Sequence, residues 1–188
     1  MQSTTGDNQI SEGPVHRRLF FAWWPSADHQ VALHQVAQKQ LQGRAARLTQ
    51  KDKIHLTLAF LGPVDAAFAD CARRAAAEIH WQPFPLVFDC LGWFPRARVM
   101  WAGCSQPVTH LTDLVDQLNQ RLSHCGYQPE QRRYQPHLTL ARKVKRGPEE
   151  SGMSALECHF DRFALVESVL DAEGAHYHIL DQFEPVKD

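Results

Sequence analysis

His55-Leu-Thr-Leu-Ala59 and His137-Leu-Thr-Leu-Ala141 are the same five residues, met twice in a chain of 188, the second copy 82 residues after the first. An internal repeat of this kind points to a duplicated architecture. Each copy carries a titratable ring with a hydroxyl two residues on. In a strand the side chains alternate faces, so the histidine, threonine and alanine of each copy point one way and the leucines the other. The leucines anchor a core. The histidine and threonine then lie about 6–7 Å apart along the opposite face, close enough for both to touch one phosphate-sized group.

The flanking sequence supports the duplication. Arg18 to Trp24 reads as a buried strand stopped by Pro25. Ser26 caps a helix that runs to about Leu41 and ends at Gly43, with Val31, Leu33, Val36 and Leu41 only loosely on one face. Lys53 to Leu61 is the next strand, closed by Gly62-Pro63, and an alanine-rich helix spans about Asp65 to Ile79. Strands at Pro85–Leu91 and Arg98–Cys104 are joined through Gly92-Trp-Phe-Pro95. Pro107 to Cys125 is the clearest helix: Leu111, Leu114, Val115, Leu118 and Leu122 recur at spacings of three and four, and Gly126 stands where a helix ends. The second motif opens a strand from His137 to Val144. Lys145 to Leu156 reads as a loop, and two strands, Phe160–Leu170 and Ala175–Phe183, close the chain. Each half thus runs strand, helix, motif strand, which predicts an α+β fold of two lobes related by pseudo-two-fold symmetry about one cleft.

Bulk properties narrow the function. The net charge of −1 argues against a protein that coats long nucleic acid, while leaving room for a short oligonucleotide end. No apolar run approaches a membrane span, and the polar first 16 residues lack the apolar core of a secretion signal and read as a disordered tail. Residues 17–188 then form a single bilobal domain. The five cysteines, Cys71, Cys90, Cys104, Cys125 and Cys158, are odd in number, widely spaced and never in a C-x-x-C. This argues against a disulfide framework and a structural zinc site, and a reducing cytoplasm fits.

Two histidines in one cleft can share acid and base work, because imidazole titrates near pH 6.5. One ring takes a proton from attacking water and the other gives one to a leaving oxygen, each contributing roughly 10²–10⁴-fold. The threonine hydroxyls can steady the non-bridging oxygens. Such modest machinery suits a strained cyclic phosphate better than an unstrained diester. A single His-x-Thr on a strand is most often structural. Duplication of a structural strand, however, gives no reason to spare exposed histidine and threonine as well as buried leucine.

These paired motifs resemble the 2H phosphoesterases, and within them most closely the RNA 2′,3′-cyclic phosphodiesterases, also called 2′-5′ RNA ligases. The likeness runs from about Arg17 to Phe183. It includes Arg18-Leu-Phe-Phe-Ala, His55 to Gly62, Phe94-Pro95 with Arg98 to Gly103, Pro136 to Arg142, and Glu167-Ser168 with Leu170, Gly174, Tyr177 and Leu180. The resemblance implies two antiparallel sheets with outer helices around a central cleft. It implies hydrolysis of RNA 2′,3′-cyclic phosphate ends to 2′-phosphomonoesters, with His55 as proton donor, His137 as proton acceptor, Thr57 and Thr139 beside them, and 2′-5′ joining in vitro. It implies no metal, no cofactor and no obligatory protein partner; the partner is an RNA or oligonucleotide end. Arg142 matches a position near the phosphate. One departure is Trp23-Trp24-Pro25, where the family often has an acidic residue and a leucine; it points to an altered cleft edge.

Other residues are weaker candidates. Seven basic residues lie between Arg121 and Arg146; they can form a local funnel for an anion, but for most of them a solvated loop face is the better reading, Arg142 being the exception. Phe21, Trp101, Tyr134 and Phe60 can stack on a base, although core packing is the better reading for each; Tyr134 is the best exception because it sits in the polar approach to His137. His176 and His178 share a strand face but lack a third metal ligand of matching spacing. The rivals are a 2H enzyme acting on small cyclic nucleotides or 2′-5′ oligonucleotides, a non-catalytic RNA-end binding module, and a histidine-cluster metal protein.

Overall fold

The structure, a computed structural model, describes residues 16–149, 151–172 and 174–185. The expected disordered tail lies outside these residues except for His16. In chain order the elements are β1 (Arg17–Trp23), α1 (Ala27–Gln40), β2 (Arg47–Leu48), a 3-10 turn (Lys51–Lys53), β3 (Leu56–Val64), α2 (Ala66–Ala77), β4 (Phe84–Phe94), β5 (Val99–Gly103), α3 (Thr109–Ser123), β6 (His137–Arg142), β7 (Gly152–Phe160), β8 (Phe163–Asp171) and β9 (Gly174–Phe183).

The helices start where their caps dictate. The Ser26 hydroxyl accepts from the His29 N–H at 3.3 Å, and Asp65 Oδ1 accepts from the Phe68 N–H at 2.8 Å; each satisfies a donor the first turn leaves unpaired. The stripe on α3 is buried throughout, and Gly126 follows it at φ +89°, a conformation open to glycine without strain. On α1 the loose pattern is loose in fact: Leu33 is fully buried, while Val31 is 38% exposed.

The strands form one antiparallel sheet in the order β7-β4-β5-β6-β3-β1-β8-β9, with β2 beside β6. This corrects the two sheets expected. The expectation is close in one respect, since β3 and β6 pair only at Leu56 and Leu138. Leaving β2 aside, four strands lie on each side of that join, and the order reads symmetrically outwards from it. The helices cross over: α1, which leaves β1, packs on β6 and β7, while α3, which leaves β5, packs on β3 and α2. Leu56, Leu58, Leu138 and Leu140 are buried in the core, which leaves the histidine and threonine face clear of the helices.

Several boundaries differ from expectation for local reasons. β3 runs through Gly62-Pro63 to Val64. Pro63 is exposed and pairs only towards β1, and a proline is tolerated where one edge needs no N–H. Gly92 is a site of close approach within β4, not a turn residue: a Cβ there would stand 2.0 Å from the Trp101 ring. The supposed loop 145–156 contains the start of β7, an edge strand paired to β4. Its mostly exposed pattern hides the alternation, and Asp161-Arg162 separates it from β8. Finally, Cys71 and Cys125 form a disulfide that ties α2 to the turn after α3, one bond that the argument against a disulfide framework did not foresee. Residues 54 positions apart meet because the two helices pack together, a proximity that spacing alone cannot show. Cys90, Cys104 and Cys158 are free.

Candidate active site

The two motifs meet at the join. With Leu56 opposite Leu138 in an antiparallel pair, the register carries His55 towards Thr139 and Thr57 towards His137. Both histidines and both threonines are half-buried, alternating with fully buried leucines. They are neither sealed away nor on opposite sides of the molecule.

The imidazoles are held by the same device. His55 Nδ1 lies 2.8 Å from the Lys53 carbonyl oxygen, and His137 Nδ1 lies 2.9 Å from that of Gln135. A carbonyl can only accept, so Nδ1 carries the hydrogen in each ring and Nε2 is left for a substrate. Each anchor is the residue two positions before the histidine, so the duplication extends to how the rings are oriented.

It also extends to the backbone beyond the threonine. Between β1 and β3 the partners are Ala22 with Thr57 and then Phe21 with Ala59; between β5 and β6 they are Trp101 with Thr139 and then Met100 with Ala141. One extra residue, Leu58 or Leu140, is accommodated in each motif strand. Such a bulge shifts the alternation and re-aims the side chains that follow. Ala59 and Ala141, expected on the histidine face, are turned into the core at 5% and 0% exposure. Phe60 and Arg142, the equivalent next residues, turn outwards. Strict alternation would have sent Arg142 inwards with the leucines.

Arg142 is exposed, and its charge reaches both imidazoles. Burial is the main cause that lowers the His55 pKa, to about 4; the Lys53 hydrogen bond opposes it, and the charges of Arg142 and His137 lower it further. The His137 pKa is also lowered, first by burial, with the Gln135 hydrogen bond opposing and Arg132 and Arg142 adding to the drop. The His55 value contains a contribution from His137, so the two rings share one electrostatic site. An anion between them would reverse the balance, since a nearby negative charge favours the protonated ring.

Aromatic side chains wall both rings. Phe20, Trp24 and Tyr177 lie 5.2, 5.0 and 5.2 Å from His55, centroid to centroid, and Phe94 and Trp101 lie 5.2 and 6.4 Å from His137. The candidate Phe21 is corrected by this arrangement. It is fully buried against Phe163 and Phe183, on the far side of β1, and no base can reach it; its neighbour Phe20 is the residue that meets His55. The signal was available, because Leu19, Phe21 and Trp23 alternate with Phe20, Ala22 and Trp24. Tyr134 is a strut. Its ring packs on the core, its hydroxyl donates to the Thr57 carbonyl at 2.9 Å, and burial raises its pKa. It ties the approach to one motif to the backbone of the other. Phe60 is 46% exposed, with the Arg18 guanidinium 4.9 Å above its ring. Among the described residues no three of His, Cys, Asp and Glu are grouped to hold a metal ion, His176 and His178 included, and no helix is long and apolar enough to cross a membrane.

The same architecture occurs in known proteins. The RNA 2′,3′-cyclic phosphodiesterase of Escherichia coli K12 is 35% identical over 127 residues, covering 67% of this chain and 72% of that protein. The RNA 2′,3′-cyclic phosphodiesterase of Archaeoglobus fulgidus is 29% identical over 157 residues, covering 78% of this chain and 88% of that one. Among solved structures, Escherichia coli LigT in complex with 3′-AMP superposes with a TM-score of 0.83 at 27% identity, covering 92% of this chain and 99% of that chain. The family model of the 2′-5′ RNA ligase superfamily matches residues 17–172. With both motifs, the strands β1 to β8 and most of the chain inside that match, this protein belongs to the 2′-5′ RNA ligase superfamily.

Proposed function

We propose that this protein hydrolyses RNA 2′,3′-cyclic phosphate ends, the activity named for its relatives, and that the products are 2′-phosphomonoesters. The observation that carries this reading is the pair of identically anchored imidazoles on either side of the Leu56–Leu138 join, each offering Nε2 to one cleft. The phosphorus sits between them. His137 Nε2 accepts a proton from water as the water oxygen bonds to phosphorus. His55 Nε2 gives its proton to the 3′ oxygen as the bond from that oxygen to phosphorus breaks. Thr57, Thr139 and Arg142 attend the non-bridging oxygens and the developing charge. Burial disfavours the protonated form of both rings, so the anionic substrate itself raises the proton affinity of His55 and arms it as the acid. With a 5′-hydroxyl in place of water, the same groups in the same roles join ends through a 2′-5′ linkage: the 5′ oxygen bonds to phosphorus as the 3′ oxygen leaves.

Both proton transfers are assigned to side chains, so the proposal requires no metal. A cytoplasmic site of action is part of it, supported by the three free cysteines; the Cys71–Cys125 bond weighs the other way. The test is incubation of the protein with a nucleoside 2′,3′-cyclic phosphate in chelator, with assignment of the product. The expected product is the 2′-phosphate, and His55→Ala and His137→Ala each lose at least a hundredfold in kcat while remaining folded. Formation of the 3′-phosphate, dependence on added metal, or near-normal turnover in either variant refutes the mechanism.

A further inference from the structure

Arg47 is a cation that the proposed chemistry leaves unused. It pairs directly with Arg142 across β2 and β6, and Leu48 pairs with Ala141. Residues directly opposite in an antiparallel pair send their side chains to the same face, with Cβ atoms about 4.5–5.5 Å apart. Ala141 is buried and Leu48 packs against the core, whereas Arg47 and Arg142 are exposed, so both arginines stand on the cleft face. Like charges in this position destabilise a sheet. Among the described residues no ion pair involves either of them. Two guanidinium groups side by side without a carboxylate, in a chain whose net charge is −1, attract anions to that spot.

The Arg47 guanidinium also lies against the turn of the β8–β9 hairpin: a Cβ on Gly174 would stand 3.2 Å from Arg47 Nη2. The same hairpin brings the Tyr177 ring to 5.2 Å from the His55 ring. Burial raises the Tyr177 pKa, and the charges of Arg142 and Arg18 oppose the rise, so cations gather where the hairpin meets the site. Arg47 therefore stands on the His55 side, with Arg142 next to it. Charge separates the roles of the two. A 2′,3′-cyclic phosphate is a monoanion, and Arg142, whose charge reaches both imidazoles, answers it. In the displacement proposed above, on which this inference rests, the 3′ oxygen leaves on the His55 side and stays bonded to its ribose. In an RNA chain that ribose continues through its 5′ oxygen to the preceding phosphate, so a second negative charge follows on that side. A lone nucleoside cyclic phosphate has no such group.

We propose that Arg47 binds the internucleotide phosphate next to the cyclic end, which makes it a specificity residue for an RNA chain over a single nucleotide. The test is calorimetric binding of two diadenosine ligands that end in a 2′-phosphate, one with the natural diester linkage and one with a neutral methylphosphonate linkage. The proteins are the wild type, Arg47→Gln and Arg47→Lys. The wild type is expected to prefer the diester about fivefold at low salt, the upper end for an exposed ion pair. Its plot of log affinity against log salt should be steeper for the diester by about 0.7, the value for one more phosphate contact on a single strand. Arg47→Gln should remove both differences, while Arg47→Lys, which keeps the charge, retains part of them. Equal affinity of the wild type for the two ligands overturns the proposal. So does a preference that survives in Arg47→Gln, including the case where both ligands weaken alike, since the arginine would then act on the terminal phosphate or on the fold. Binding is read without turnover. An Arg47-dependent preference in a protein that hydrolyses no cyclic phosphate refutes the proposed function and leaves this assignment standing; hydrolysis without the preference does the reverse.

Discussion

Burying His55 between Phe20, Trp24 and Tyr177 should make the stability of the protein depend on pH in a way that one substitution removes. The folded ring titrates at about 4 against 6.5 for an exposed imidazole, so the folded state binds this proton about three hundredfold more weakly. The unfolded chain is the better proton acceptor between those values, and acid therefore favours unfolding. The contribution is fully present above pH 6.5 and is lost as pH falls through 4. Integrated over the titration, the wild type loses about 0.1 kcal/mol from this ring at pH 7.5 and about 2.5 kcal/mol at pH 4.5. His55→Gln removes the titrating group. It also loses ring contacts, but that cost is the same at both pH values. The assay is urea unfolding of both proteins at pH 7.5 and pH 4.5. The wild type should lose about 2 kcal/mol more than the variant over this interval, after the shared response of the carboxylates and His137 cancels. Parallel losses, within about 0.5 kcal/mol, would mean that water reaches the ring freely and that the aromatic wall does not desolvate it.

Two further perturbations test the site and its support. Arg142→Gln removes the charge that reaches both imidazoles and the proposed contact to the phosphate; kcat/KM for a cyclic phosphate should fall about 10- to 150-fold, and a change under threefold would place Arg142 outside the site. Gly92→Ala drives a methyl group to within 2.0 Å of the Trp101 ring, so thermal unfolding should report a loss of about 1–3 kcal/mol, with turnover falling as the ring that lies 6.4 Å from His137 is displaced; an unchanged melting temperature and rate would show that Trp101 moves freely.

The parts of this molecule legible in the sequence are those governed by local chemistry. Ser26, the stripe on α3 and Gly126 mark helix ends and faces through neighbours three or four residues away, and the structure follows them. The face carried by His55 and Thr57 was legible for the same reason, since alternation is a local rule. What was lost depends on partners. β7 is an edge strand whose outward residues face solvent on both sides, so it leaves little alternation to read. The break at Asp161-Arg162 is visible only when β7 is seen paired to β4 and β8 to β1. Cys71 and Cys125 meet because α2 packs on α3. Alternation on β1 separates Leu19, Phe21 and Trp23 from Phe20, Ala22 and Trp24, and the pairing with β3 shows which set shares a face with His55.

The bulges carry the most consequence for function. Two residues beyond each threonine the strand has already turned its alanine inwards, and the residue after it emerges on the cleft face. In the second copy that residue is Arg142, a cation beside two imidazoles. In the first it is Phe60, aromatic and half exposed under Arg18. The duplication therefore supplies two equivalent places, and divergence has filled them with different chemistry. A symmetric site would treat the two ends of its substrate alike. A cyclic phosphate end is not symmetric, with a nucleoside on one side of phosphorus and water on the other. The asymmetry in side chains matches it: a cation emerges after the second motif and a phenylalanine after the first, and three aromatic rings wall His55 against two at His137. In the proposed reaction this difference lets two copies of one motif serve as acid on one face and base on the other.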